Sequence, residues 1–128
     1  MKATAETWLL VAIAGGVGSL LRYSLGGWLA RSTGGVFPWE TLCINVVGSL
    51  AIGCLAALVD RGALLSPVTR MALMAGLLGG FTTFSSFALE TFRLAEDAQW
   101  VRAGLYVLAT NMIGFLAVWA GYRALQAH

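Results

Sequence analysis

Charged side chains are scarce in this chain, making up 11% of 128 residues, against roughly 25% in soluble globular domains. That shortage argues against a water-soluble globule and leaves no stretch for a soluble catalytic domain. There is one histidine, the terminal His128, and no nucleophile–base pair inside any apolar run, so acid–base enzymes lack their working groups. The eight basic residues are spread along the chain rather than clustered, and no nucleic-acid partner is expected. Of the two prolines, Pro38 suits the first turn of one helix and Pro67, after Ser66, the first turn of another. The two cysteines, Cys43 and Cys54, lie on one segment. Eleven residues at 1.5 Å rise set them about 16 Å apart, beyond disulfide reach, so they are read as small buried hydrophobes. Strict polar–apolar alternation is also missing, which excludes a membrane β-barrel.

What the chain has instead is apolar length. Hydrophobic residues make up 59% of it. Runs without charge cover 41–59, 71–89 and 103–122, and a fourth, 7–30, is interrupted only by Arg22. A bilayer core about 30 Å thick needs about 20 such residues per helix, so the expected fold is an all-α integral membrane protein with four spans. These are approximately 7–30, 39–59, 68–92 and 101–123, in a single domain over 1–128. Lys2 and the cleavage-like triplet at 12–14 resemble a signal peptide, but the apolar core before it, 8–11, is too short. The first segment is therefore read as a retained span. With four spans, one side of the membrane receives Lys2, Arg61, Arg70 and Arg123, and the other Arg22, Arg31, Arg93 and Arg102. The positive-inside rule has nothing to decide between these. Insertion in both orientations, and an antiparallel homodimer, follow as the expectation.

Polar residues inside the spans are few enough to name. The first span carries Gly15, Gly16, Gly18 and Ser19, then Arg22. Small residues let helices approach closely in lipid. Arg22 either snorkels to a membrane face or faces a water-filled vestibule that attracts anions. Asn45 in the second span serves as interhelical glue or offers its amide donors to an anion. The third span holds the densest cluster: Gly79, Gly80, Phe81, Thr82, Thr83, Phe84, Ser85, Ser86, Phe87 and then Glu90. A glycine pair weakens a helix, and hydroxyls at membrane depth need partners that lipid does not supply. The helix is expected to break at Gly79–Gly80, near the middle of the span, freeing carbonyls that suit a hard cation such as Na⁺. Phe84 and Phe87, three apart, share a helix face. They are either lipid-facing or, with Ser85, Ser86 and Asn45, an anion lining of positive ring edges and hydrogen-bond donors. Conduction requires that no single donor binds too tightly.

These residues carry a family resemblance. The run Gly79 to Phe87 with Glu90, the pattern Gly15-Gly16-x-Gly18-Ser19-x-x-Arg22, and Thr41-Leu42-x-x-Asn45-x-x-Gly48 resemble the motifs of the Fluc/CrcB family of fluoride channels, in order and over the whole chain. The resemblance implies a passive, fluoride-selective exporter in the inner membrane of a prokaryote. It would be a dual-topology homodimer with two pores at the subunit interface. By the same match Phe84 and Phe87 are pore phenylalanines, Asn45 the pore asparagine, and Ser85 and Ser86 part of a polar track. Gly79 and Thr82 would bind a central structural Na⁺ through backbone carbonyls. Arg22 and Glu90 match the family's first-span arginine and third-span glutamate. Asn111 would be a pore residue of the fourth span, at a position where the family's polar residues vary. Phe81 and Ser86 depart from the usual leucine and threonine while keeping apolar and hydroxyl character. The rival reading, a four-span multidrug-resistance-type transporter, needs an acid deep in the first span, where only Glu6 at the edge is present.

Overall fold

The computed structural model describes residues 4–126. Among these residues every regular element is helical. Helix α1 (Ala5–Thr33) is capped by the Thr4 hydroxyl, which accepts from the Thr7 N–H, and ends at Gly34 in the left-handed region, φ 72°. Helix α2 (Trp39–Asp60) follows a short polar loop. The third span starts with α3 (Pro67–Met71), where the Ser66 hydroxyl accepts from the Thr69 N–H and Pro67 fills the first turn. It continues as a π-helical segment (Ala72–Leu78) and a single turn, α4 (Gly79–Phe81). It resumes after an interruption as α5 (Phe84–Glu96). Helix α6 (Trp100–Gln126) completes the chain. The turn before α6 places Ala98 at φ 57° and closes with the Gln99 N–H on the Leu94 carbonyl at 2.8 Å. Four helical stretches, Ala5–Thr33, Trp39–Asp60, Pro67–Glu96 and Trp100–Gln126, are long and apolar enough to cross a bilayer. The protein is a multi-pass membrane protein of four helical spans.

Small residues decide how the spans pair. Helix α1 lies against the first half of the third span, and α2 lies along α6. On the first contact, a Cβ added to Gly80 would collide with the Gly15 carbonyl, and one added to Gly18 with the Leu77 carbonyl. On the second, Gly53 meets the Val118 carbonyl and Gly121 the Leu50 carbonyl in the same way. Backbone thus packs on backbone, the arrangement that gives van der Waals attraction in lipid, where the hydrophobic effect is lost. Buried apolar residues are few: Leu42, Ile44, Ala57, Leu94, Ala103 and Tyr106. In the four spans only 6% to 28% of the most apolar window is buried, so most of each helix surface is left to lipid or to another chain.

The third span is interrupted, but not at the glycine pair. Gly79 is helical, with φ −63° and ψ −37°, and α4 runs on to Phe81. The departure comes at Thr82 (φ −83°, ψ 159°) and Thr83 (φ −149°, ψ 118°), both extended. The reason is local. Gly80 is held in its turn by close packing on α1, where its missing side chain is needed for approach rather than for flexibility. Thr82 closes the turn instead, with both its N–H and its hydroxyl donating to the Leu78 carbonyl at 2.9 Å.

Candidate ion pathway at the break

Asn45 is the residue on which the break is built. Its Oδ1 accepts from the Thr83 N–H at 2.8 Å and its Nδ2 donates to the Thr83 carbonyl at 3.0 Å. The Thr83 backbone needs both an acceptor and a donor, which fixes the orientation of the amide. The side chain therefore completes an extended residue much as a neighbouring strand would, and one amide hydrogen is left over. The bonds to Thr83 make Asn45 a link between α2 and the third span.

Counting carbonyls shows what the break frees. In a continuous helix Gly79 would accept from the Thr83 N–H, which instead goes to Asn45. Thr82 would accept from the Ser86 N–H, which instead goes to the Thr83 hydroxyl at 3.2 Å. Both carbonyls lose their helical donors, as does that of Phe81, which receives no bond from the Ser85 N–H. The Gly80 carbonyl is covered differently, by Arg22 Nε at 3.1 Å and Ser19 Oγ at 3.5 Å. Arg22 thus turns inward onto the carbonyl end of α4, where a cation complements the helix dipole. A cavity of about 370 Å³ beside Asn45, Gly48, Ser49, Gly79 and Thr82 is lined only by uncharged groups. Neutral oxygens of this kind suit a hard cation. Among the described residues there is no cluster of His, Cys, Asp and Glu able to hold a metal, and the oxygens lining this cavity are neutral ones of backbone, amide and hydroxyl groups.

On the other side of the break, Thr83 caps α5. Its hydroxyl donates to Ser86 Oγ at 3.1 Å and lies 3.4 Å from Ser85 Oγ. Phe84 and Phe87 pair with ring centroids 5.7 Å apart. They differ in environment: Phe87 packs 5.2 Å from the Tyr106 ring, while Phe84 is 78% exposed on the single chain. A second cavity of about 550 Å³ runs past Thr83 and Ser86 to Arg22, Arg31, Glu40 and Thr41.

Glu90 stands away from the break, where it ties three spans together. Its Oε1 accepts from the Thr41 hydroxyl at 2.7 Å and its Oε2 from the Tyr106 hydroxyl at 2.6 Å. Tyr106 is fully buried, and sequence reasoning passed over it. The available signal was a tyrosine deep in an apolar run, whose hydroxyl needs a partner, together with a carboxylate that needs donors. Thr83 was likewise undervalued, being extended, clamped and capping at once. Asn111 is not brought to this site within one chain. It is exposed, it donates to its own helix at the Val107 carbonyl at 2.8 Å, and it lines neither cavity.

Residues 9–122 match the family described as CrcB-like protein, Camphor Resistance (CrcB). The chain is similar to proteins named fluoride-specific ion channel FluC in several bacteria. Identity is 47% over 120 residues with that of Paramagnetospirillum magneticum, covering 92% of this chain and 94% of the relative. It is 47% over 118 residues with that of Thermus thermophilus, covering 92% of each. With that of Rhizobium etli it is 45% over 119 residues, covering 93% and 95%.

Proposed function

The chain belongs to the CrcB family, and on that footing we propose that it is a fluoride-selective channel that lets F⁻ leave the cytoplasm passively across the inner membrane. The observation that carries this reading is the cluster of hydroxyls and aromatic rings just past the break: Thr83, Ser85 and Ser86 beside Phe84 and Phe87. A small, strongly hydrated anion needs donors to replace its water, and here they are neutral, so none traps it. The exposed Phe84, and Asn111 on a separate face, are supplied with neighbours by a second copy inserted the opposite way. The working unit is an antiparallel homodimer with two pores.

The Gly79 and Thr82 carbonyls, deprived of helical donors, fit a structural Na⁺ shared between the two copies. When bound, that ion would supply positive charge to neutralise the freed oxygens. The transporter alternative requires a proton-carrying acid deep in the first span, and Glu6 lies in the first turn of α1.

The decisive measurement is efflux of fluoride from liposomes holding the purified protein, with chloride as control. Rapid fluoride loss with chloride retained is the expected result, and equal flux of both anions overturns the channel reading. Labelling a C-terminal tag from each side of the membrane tests the dimer, since accessibility from one face only excludes dual insertion.

A further inference from the structure

Glu40 has no part in the pathway described so far. It sits in the first turn of α2 and lines the 550 Å³ cavity together with Arg22, Arg31, Thr83 and Ser86. One acidic and two basic residues thus line the space that leads to the hydroxyls of the break. The Oε2 of Glu40 is closed off from solvent and accepts no hydrogen bond from any described residue. Several polar groups around it bond other partners. The Thr41 and Tyr106 hydroxyls donate to Glu90, and Arg22 Nε donates to the Gly80 carbonyl. Arg31 Nη1 lies over Gly27, 3.4 Å from where a Cβ would stand.

Two cations at the mouth of a low-dielectric cleft concentrate small anions there. An anion drawn in too strongly is slow to move on. A carboxylate whose oxygen is not taken up by local donors projects its charge into the same cleft and reduces the formal lining charge from +2 to +1 (two arginines less one glutamate). We infer that Glu40 is a rate-determining residue of the vestibule. It acts as an electrostatic brake that sets how much fluoride, or any small anion, gathers in front of the break, without touching the groups that select among anions. This rests on the channel reading and adds to it a residue that opposes conduction. The plainer role of a first-turn acid, complementing the positive end of α2, would affect helix stability but not flux.

The test uses the full-length protein in liposomes, comparing wild type with Glu40→Gln, Glu40→Ala and the charge-retaining Glu40→Asp. Initial fluoride efflux is measured well below saturation, at ionic strengths of about 0.01 M and about 1 M, where screening lengths are roughly 30 and 3 Å. At low salt both neutral variants should run about 2- to 10-fold faster than wild type, the range given by one charge acting across about 10 Å at intermediate dielectric. The gain should vanish at high salt, Glu40→Asp should follow wild type, and chloride should stay excluded. Neutral variants that match wild type at both ionic strengths overturn the proposal. So does a gain that ignores salt or admits chloride, since that indicates a damaged pore. Wild-type protein that conducts no fluoride would overturn the channel reading itself, and this proposal with it. Should Glu40→Gln fail to fold, Glu40→Ala, which makes no new hydrogen bonds, carries the same expectation.

Discussion

The two cavities meeting at the break share Thr83 in their lining and little else of their chemistry. One is walled by an amide, a hydroxyl and backbone at Asn45, Ser49, Gly79 and Thr82. The other carries Arg22, Arg31, Glu40 and the Ser86 hydroxyl. The difference shows how two residues of extended chain set unlike surroundings on their two sides. Interrupting a helix strips donors from carbonyls upstream, leaving partial negative charge on one side. It also starts a new helix downstream, whose positive end and capping hydroxyl lie on the other. Thr83 divides its own groups in the same way, with its backbone held by Asn45 and its hydroxyl turned to Ser86.

The largest effect should come from removing the clamp that keeps the sides apart. Asn45→Asp retains an acceptor for the Thr83 N–H but sets a carboxylate oxygen against the Thr83 carbonyl. An unsatisfied buried group costs about 1–3 kcal/mol, and fluoride efflux should fall by about 100-fold, the upper end of that range. Flux at the wild-type level in this variant would show that the clamp is dispensable. A tenfold smaller loss is expected at Glu90, which ties α2, α5 and α6 together away from the break. Glu90→Ala frees the Thr41 and Tyr106 hydroxyls, losing two charge-assisted bonds of about 1.5–3 kcal/mol each, while Glu90→Gln keeps one acceptor. Efflux should fall by about 10-fold in the first variant and less in the second; equal losses would mean that hydrogen bonding at Glu90 is not what matters. The smallest effect should come from the neutral cavity. Replacing sodium by a large organic cation should lower the melting temperature of the detergent-solubilised protein by a few degrees, as loss of a native-state ligand does. Unchanged melting would remove the proposed ion from Gly79 and Thr82.

The fold was legible because it depends on quantities a sequence carries openly. Four apolar lengths, with Ser66 and Pro67 marking the start of the third, leave few alternatives. The position of the interruption was less so. Gly79–Gly80 looks like the weak point by propensity, yet its fate is set by Gly15 and Gly18 on another helix, and by Asn45, 38 residues upstream of Thr83. The π-helical stretch over Ala72–Leu78 leaves little mark, since apart from Gly76 its residues are ordinary helix formers. Arg22 could be placed on a span but not given a direction, because long side chains reach to either side. The carboxylate partners of Thr41 and Tyr106 were hidden for a similar reason: spacing along one helix does not say what the next helix brings to meet it.

The interruption also has a mechanical consequence. Upstream of it, α4 and the π segment are seated on α1. Downstream, α5 is joined to α6 by the tight turn at Ala98 and tied through Glu90 to α2 and α6. The third span is therefore held in two halves, the first mainly on α1 and the second tied to α2 and α6, joined by the extended residues Thr82 and Thr83, with α2 touching both halves. A shift of one half of the span relative to the other is taken up most readily at Thr82 and Thr83, where the backbone has left the helix and is held by side chains.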